Sequence, residues 1–383
     1  MSKNARLKSG IKKESESHSR RRTVLSSLGT VTVAGLSGCA SVLPDAESTG
    51  ERIVTDVADR DVEVPEHPGR ILGIGAGTLR QLTYMNATDQ VVSVENIGAE
   101  SLDELPYLIA TPELAELPAF GDSGADRDGD AEQILDVQPD VIFLNGDASR
   151  ADELAAQTNT PVVVVDTANI MHEDGRNVLY ETWNTVGEAL GTTERAAELE
   201  TFLKETVDDF EKRTADIPDN EREVGYAAAF RFRGAHGLST TRGDTTMFEY
   251  PHVINAIEDL ESDEHSVDLS HEQLLETDPE RIFIDVASSD RVRQEISENS
   301  ELEALTAVEE NEIYPVLQVY RDMRNFGPMI ANAYFVGKVS YPDRFADIDF
   351  ETQVDDLFEA LFGERIYQNH LKDQFPNVYR PLF

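Results

Sequence analysis

Arginine and aromatic residues are concentrated in two segments in the second half of the chain, where together they could bind an anion. The arginines are Arg231, Arg233, Arg242, Arg321 and Arg324, and the interleaved aromatic residues are Phe232, Tyr320 and Phe326. Guanidinium groups pair bidentately with carboxylates and phenolates, and aromatic faces cover planar groups. This mixture predicts a site for an anionic metal chelate. Ion pairs with the many acidic residues are the alternative for part of the set.

Histidines and glycines give weaker signals. The histidines form no HxH or HExxH pair, so we expect no metal site built by the protein alone, although His236 could complete the coordination of a bound chelate. The run Gly73-Ile74-Gly75-Ala76-Gly77 is similar to the start of a dinucleotide-binding loop, but its third glycine is misplaced. These glycines more simply allow the backbone to approach a cleft. We therefore expect no resident cofactor.

The first 39 residues have the layout of an export signal. A basic opening leads to Arg20-Arg21-Arg22, an apolar run follows over 28–36, and the segment ends at Cys39, the one cysteine of the chain. The paired arginines indicate twin-arginine export. We predict a lipoprotein signal over 1–38, a lipid anchor on Cys39 and a flexible tether over 39–52, which places the protein on the outer face of the cytoplasmic membrane. A plain secretory signal is the alternative.

The chain beyond this leader is very acidic. It retains 72 acidic and 25 basic residues, a formal net charge of −47, and four lysines. Such a surface repels nucleic acid, because nucleic-acid binding depends on basic groups that displace counterions. Salt screens the repulsion between like charges, with a Debye length of about 3 Å at 1 M. The composition therefore predicts a halophilic protein and no nucleic-acid partner.

Apolar runs alternate with helical spacing along most of the chain. Predicted strands cover 70–75, 91–94, 139–144, 161–165, 224–230, 281–285 and 312–316. Continuous Val/Ile runs of this kind are typical of parallel sheets covered on both faces. Between 176 and 213 the apolar residues follow a helical period, with a break near Gly191, which predicts one long helix or two in tandem. The result is two α/β lobes, 53–170 and 218–383, joined by a linking helix over 171–217, with the ligand cleft between them.

Ligands of open α/β sheets bind beyond the carboxyl ends of the strands. In the first lobe this rule selects Thr78, Arg80 and Asn145 as ligand-binding candidates. In the second lobe it selects the arginine-rich segments, and with them His236 and Tyr320.

The two halves of the chain also repeat a motif. Residues 130–143 and 270–283 each contain a Glu-Gln-apolar-Leu helix, a proline turn and an apolar strand. Internal similarity of this kind predicts two pseudo-equivalent lobes.

Five blocks, 67–72, 132–143, 270–284, 331–345 and 357–364, together with the leader, make the chain resemble the substrate-binding lipoproteins of ABC importers. The similarity is to the iron-complex and cobalamin type, whose lobes are joined by a rigid helix. It implies that Glu132 and Glu272 dock onto arginines of the permease, and that an ATPase supplies the energy. Acids at a helix start also favour the helix dipole, which is the simpler explanation of each glutamate alone.

These observations predict a binding protein, not an enzyme, that delivers a metal chelate to an ABC permease. A ferric siderophore is the favoured ligand; haem, a corrinoid and a smaller metal or oxyanion species stay open. An exported cofactor-binding oxidoreductase is the main alternative, and a structural surface lipoprotein is a second.

Overall fold

Short strands alternate with helices through most of the chain, as the sequence predicts. The computed structural model describes residues 50–96, 103–122, 131–230, 236–242, 245–258, 267–320 and 324–383. The leader, Cys39 and the predicted site residues Arg231, Arg233 and Arg321 lie outside the described residues.

The strands of this part of the chain are β1 (Glu51–Thr55), β2 (Asp61–Pro65), β3 (Ile71–Ile74), β4 (Val94–Asn96), β5 (Ala119–Asp122), β6 (Val141–Asn145), β7 (Val162–Val165), β8 (Val224–Ala228), β9 (Thr240–Thr241), β10 (Ile254–Asn255), β11 (Val267–Asp268), β12 (Ile282–Asp285) and β13 (Ile313–Val316). The helices are α1 (Thr78–Tyr84), α2 (Pro106–Ala110), α3 (Ala131–Val137), α4 (Ala148–Thr158), α5 (Glu173–Leu190), α6 (Thr193–Thr214), α7 (Thr246–Glu249), α8 (His271–Thr277), α9 (Ser289–Glu298), α10 (Thr306–Glu309), α11 (Phe326–Ser340), α12 (Phe350–Phe362) and α13 (Lys372–Gln374).

The first lobe is built on the parallel sheet β3-β6-β7. Alternate residues of these strands enter two different cores, because a strand projects successive side chains to opposite faces. One core holds Ile71, Val141, Phe143, Val163 and Val165, and the other holds Leu72, Ile74, Ile142, Leu144, Val162 and Val164. Burial on both faces explains why these strands read as unbroken apolar runs.

The second lobe repeats this plan. Its strands β8, β12 and β13 are parallel neighbours, while the short strands β9 and β11 extend the sheet in antiparallel pairings. Ala227, Phe283 and Val316 face one core, whereas Tyr226, Ala228, Ile282 and Ile284 face another. The predicted class, two α/β lobes with mainly parallel sheets, is confirmed.

An antiparallel hairpin of β1 and β2 precedes the first parallel strand. The tether predicted over 39–52 was therefore too long, since β1 begins at Glu51. The cause is local: only Val54 of β1 and Val64 of β2 are buried, so the apolar alternation is short and the exposed positions are polar or charged, apart from Ile53. Asp56 fixes the hairpin to β7, because its carboxylate accepts a hydrogen bond from the Val164 backbone N–H at 2.9 Å.

Two consecutive helices, not one, occupy the predicted linking segment. They meet at Gly191, whose φ of 74° is the left-handed conformation in which glycine commonly ends a helix. Helix α5 belongs to the first lobe, where the Trp183 indole donates to Gln81 Oε1 at 2.8 Å. Helix α6 reaches the second lobe, where the Phe210 and Tyr334 rings lie 4.4 Å apart. The link between the lobes is therefore α6.

Arg195, at the start of α6, ties both lobes to this link. Its guanidinium donates to the backbone carbonyls of Tyr84 in the first lobe at 2.8 Å and of Ala360 in the second at 2.6 Å. We expect Arg195→Ala to lower the free energy of unfolding in urea by about 2 kcal/mol, because two partly buried carbonyls lose their donors. Glu198→Ala is the matched control, since Glu198 contacts Arg195 only as a surface ion pair at 3.2 Å and should change stability by about 0.5 kcal/mol or less. Equal effects of the two variants would contradict this assignment.

Candidate functional site

The predicted residues of the first lobe hold together the loops that follow its strands. At the end of β6, the Asn145 side-chain amide donates to the Ala76 carbonyl at 3.0 Å and to Thr167 Oγ1 at 3.1 Å. Gly75, with φ 87°, lies so close to this strand end that an added Cβ would be 2.9 Å from the Asn145 carbonyl oxygen. Thr78 is fully buried and donates to the Ile74 carbonyl at 2.8 Å. The glycines thus allow one loop to approach another, and Asn145 fixes both.

Arg80 joins the two lobes. Its side chain is fully buried, and its guanidinium donates to Asn325 Oδ1 at 2.9 Å and to the Arg324 carbonyl at 2.7 Å. The Tyr107 ring lies 6.0 Å from the guanidinium carbon. Because two of its nitrogens are committed to the second lobe, Arg80 acts here as a tether between the lobes. Its predicted contact with ligand stays a prediction.

The second lobe brings Arg242 and Tyr320 together. The guanidinium carbon of Arg242 lies 4.0 Å from the centre of the Tyr320 ring, which is the geometry of a cation–π contact. The Phe230 ring meets Tyr320 edge-on, with ring centres 6.2 Å apart. Phe230 lies shortly after β8, Arg242 directly follows β9 and Tyr320 lies in the segment after β13, so the cluster forms from segments that follow three strands of one sheet.

A small cavity of about 10 Å³ lies behind this cluster, about the space needed for one water molecule. Its lining includes Tyr320, Phe230 and two buried threonines, Thr245 and Thr246, whose hydroxyl groups have no hydrogen-bond partner within the described residues. A water molecule here would satisfy both hydroxyls.

The charges of Arg324 in the second lobe and Asp166 in the first attract each other. Asp166 was not among the residues predicted from the sequence. Desolvation raises the pKa of this carboxyl above its ordinary value, and the positive charge of Arg324 opposes that rise. Asp166 immediately follows β7, so the strand-end rule could have found it. His236 is partly buried, at the start of the described segment 236–242.

The two copies of the internal repeat adopt the same local structure. Glu132 and Glu272 are exposed residues in the first turns of α3 and α8. Each helix is followed by a residue with positive φ, Gln138 and Asp278 respectively, then by a proline and a buried strand. Leu135, three residues after Glu132 on the same helix, keeps 49% of its surface exposed and so presents an apolar side chain to solvent near that carboxylate.

Among the described residues, no three histidine, cysteine or acidic side chains come together as they would to hold a metal ion. None of the helices in this part of the chain is long and apolar enough to cross a membrane.

Comparison with known proteins identifies the family to which this two-lobed fold belongs. The sequence profile of the periplasmic binding proteins matches residues 82–317. The chain belongs to this family. Comparison with the curated proteins finds no match.

Solved structures share the fold of this periplasmic binding protein. The Haemophilus influenzae molybdate-binding protein MolA, bound to molybdate, is 21% identical, with 82% of this chain and 99% of that chain covered and a TM-score of 0.65. A solute-binding protein of Veillonella parvula is 16% identical, with 87% and 100% covered and a TM-score of 0.71. The TroA-like binding protein FepB of the same organism is 19% identical, with 82% and 97% covered and a TM-score of 0.60.

Membership of this family fixes the general role. Periplasmic binding proteins of this kind capture a small molecule outside the cytoplasm and pass it to the permease and ATPase of an ABC importer, and they catalyse no reaction. The predicted importer role is confirmed at this level. The alternatives of an exported oxidoreductase and of a structural surface lipoprotein were wrong.

Proposed function

We propose that this binding protein captures an anionic metal chelate, of which a ferric siderophore is the leading example, and delivers it to its importer. The observation that supports this ligand class is the buried guanidinium of Arg242 stacked on Tyr320. A guanidinium held over an aromatic ring presents positive charge and an apolar surface together. That combination suits a chelate whose anionic donor groups are attached to planar rings.

The Arg242 segment is held in place by its own lobe. The Asn255 side-chain amide donates to the Arg242 carbonyl at 2.8 Å, and Thr241 Oγ1 donates to the Ala227 carbonyl of the neighbouring strand. A preorganised cation loses little conformational entropy when an anion binds. In a chain with so large an excess of acidic residues, a fixed arginine also provides local electrostatic selectivity for an anion.

The ligand is identified by titrating the mature protein, at high salt, with ferric siderophores, haem, cobalamin, molybdate and free metal salts. Binding is followed by thermal shift and by fluorescence of Trp183, the one tryptophan of the chain. Tight binding to a ferric siderophore supports the proposal. Selective binding of molybdate, the ligand of MolA, or of a free metal salt would contradict the proposal and show that the ligand is a simple oxyanion or metal ion.

Arg242→Gln is expected to weaken binding of the tightest ligand of that panel about 30-fold, because a charge-assisted contact contributes about 2 kcal/mol. Tyr320→Phe keeps the ring and should retain affinity within about threefold. Arg365→Gln is the control, since Arg365 lies just after helix α12 and pairs with Glu359 and Asp356 of that helix, away from the Arg242–Tyr320 pair. A loss of affinity in the control equal to that in Arg242→Gln would contradict the assignment.

We further propose that the protein is exported by the twin-arginine route, is anchored by lipid on Cys39, and works at high salt. The leader motif supports the first two statements and the acidic, lysine-poor composition supports the third. Cys39→Ser should release the protein from membranes into the medium, as measured by fractionation of producing cells. Retention of the variant on membranes would refute the anchor.

A further inference from the structure

The first residue of helix α8, next to the docking glutamate Glu272, is a histidine held by two carboxylates. His271 Nε2 lies 3.1 Å from Glu295 Oε1, and His271 Nδ1 lies 3.2 Å from Glu301 Oε1. Glu295 comes from helix α9 and is mostly shielded from solvent, with 14% of its side chain exposed. Protonated imidazole donates from both nitrogens, so the cation satisfies both carboxylates at once.

Glu295 also holds the segment 236–242, which carries the candidate ligand residues His236 and Arg242. Its second carboxylate oxygen accepts the Leu238 backbone N–H at 2.9 Å. Glu295 therefore connects segment 236–242, which carries Arg242, with His271, the first residue of helix α8.

A second set of contacts joins the same two regions. Strand β9 within that segment pairs with β11, and the Leu269 N–H donates to the Ser239 carbonyl at 2.8 Å. Thr240 Oγ1 donates to Asp268 Oδ1, also at 2.8 Å. Ser270, which follows directly, caps α8 in a capping box with Gln273. These contacts form a continuous path from segment 236–242 to the N-terminus of α8.

We propose that His271 and Glu295 are positioning residues for docking: they hold Glu272 in its docking orientation and transmit ligand-dependent movement of segment 236–242 to helix α8. The inference rests on the proposed delivery to the importer and on the docking of Glu272 onto the permease, which the family resemblance implies. It adds a pathway by which the permease distinguishes loaded from empty binding protein. Because charge complementarity mainly sets orientation and on-rate, the position of one carboxylate is enough to alter docking.

This contact is expected to depend on pH. Burial lowers the pKa of His271, but the hydrogen bonds and negative charges of Glu295 and Glu301 outweigh it, so that the pKa is raised. Arg291 and Glu298 of α9 line the surface cavity of about 230 Å³ beside the histidine and are the other charged residues of that lining among the described residues. Since the folded-state pKa is raised, the contact is intact below the ordinary histidine pKa of about 6.5 and is lost as pH rises through the raised value.

The test measures binding of the loaded, full-length protein to its permease–ATPase complex in nanodiscs from pH 5.5 to 9, using the tightest ligand of the panel. Wild-type docking should weaken about tenfold as pH rises. His271→Ala should dock about tenfold more weakly at low pH and show no pH dependence. His271→Lys keeps a cation between Glu295 and Glu301, so its docking should be strong and independent of pH over this range.

Hydrogen exchange of the α8 amides gives a second readout, taken with and without ligand. Ligand should change α8 exchange in the wild type and by a clearly smaller amount in Glu295→Ala, where only the β9–β11 contacts remain, while Glu298→Ala, on the same helix and lining the same cavity, should behave as wild type. If Glu272→Arg weakens docking about tenfold while His271→Ala and Glu295→Ala dock as wild type at every pH, the inference is overturned and the proposed function stands. If Glu272→Arg itself docks normally, the docking role fails.

Discussion

Reversing both docking glutamates, by Glu132→Arg and Glu272→Arg together, is expected to abolish ligand delivery while leaving ligand affinity unchanged. Both carboxylates are exposed in the first turns of equivalent helices, one in each lobe. Neither belongs to the cluster of Phe230, Arg242 and Tyr320. The family resemblance implies that arginines of the permease lie opposite these two positions, so a positive charge there would turn attraction into repulsion. Such like-charge contacts cost several kcal/mol, so docking of the double variant should fall by at least about 100-fold.

Salt decides how this effect arises. At 1 M salt the Debye length is about 3 Å, so long-range steering is screened and only direct contacts retain their energy. We therefore expect each single reversal to reduce docking about tenfold at high salt, and more at low salt where the protein tolerates it. The measurement is a permease–ATPase binding assay in nanodiscs, accompanied by ligand titration of each variant.

The matched control makes the same change of charge elsewhere. Glu181 and Glu205 are exposed on helices α5 and α6, which carry neither docking glutamate. The Glu181→Arg and Glu205→Arg double variant should dock within about twofold of wild type. Equal losses in the two double variants would mean that net charge, rather than the position of Glu132 and Glu272, governs docking.

Arg80→Ala is expected to produce the largest loss of stability in the chain, about 4 kcal/mol in the free energy of unfolding. The substitution removes a fully buried side chain and leaves Asn325 Oδ1 and the Arg324 carbonyl without these donors. Each buried acceptor left without its partner costs about 1–3 kcal/mol, and the space vacated by the guanidinium adds to the loss. Urea denaturation followed by circular dichroism measures the change.

Two further variants show whether the contact between the lobes is the cause. Arg80→Lys restores a positive charge but not the fork that reaches both acceptors, so it should recover only part of the lost stability. Asn325→Ala removes one of the same bonds and, combined with Arg80→Ala, should cost less than the sum of the two single changes because they share an interaction. Full additivity would show that Arg80 acts independently of the second lobe.

Much of the fold could be predicted from the order of apolar runs, because a strand buried on both faces leaves little choice of residue. The runs 139–144, 161–165 and 281–285 correspond to β6, β7 and β12. The hairpin of β1 and β2 escaped prediction because only one face of it is buried. The break between α5 and α6 was predicted at Gly191, but the sequence did not show that α5 packs on the first lobe and α6 alone links the two.

The candidate site could be predicted only in part. The strand-end rule found Asn145 and Tyr320, since the carboxyl ends of parallel strands meet at one edge of a sheet. Arg242 follows the antiparallel strand β9, and it was predicted from the concentration of arginines instead. It did not reveal that the Arg80 guanidinium donates a hydrogen bond to Asn325, because that contact joins residues 245 positions apart. Asp166 was missed although it follows β7 directly, because an acidic residue carries little information in so acidic a chain.

The sequence by itself determined the export leader motif, the charge excess, the two α/β lobes and the repeated helices that carry Glu132 and Glu272, all of which are encoded in composition or in short, local patterns. Only the tertiary structure decided which polar side chains meet: Arg242 with Tyr320, Arg80 with Asn325, and His271 with Glu295. Such pairings depend on how elements distant in sequence are brought together by burial of their apolar faces. Local patterns set those faces, but they do not specify the partner found across them.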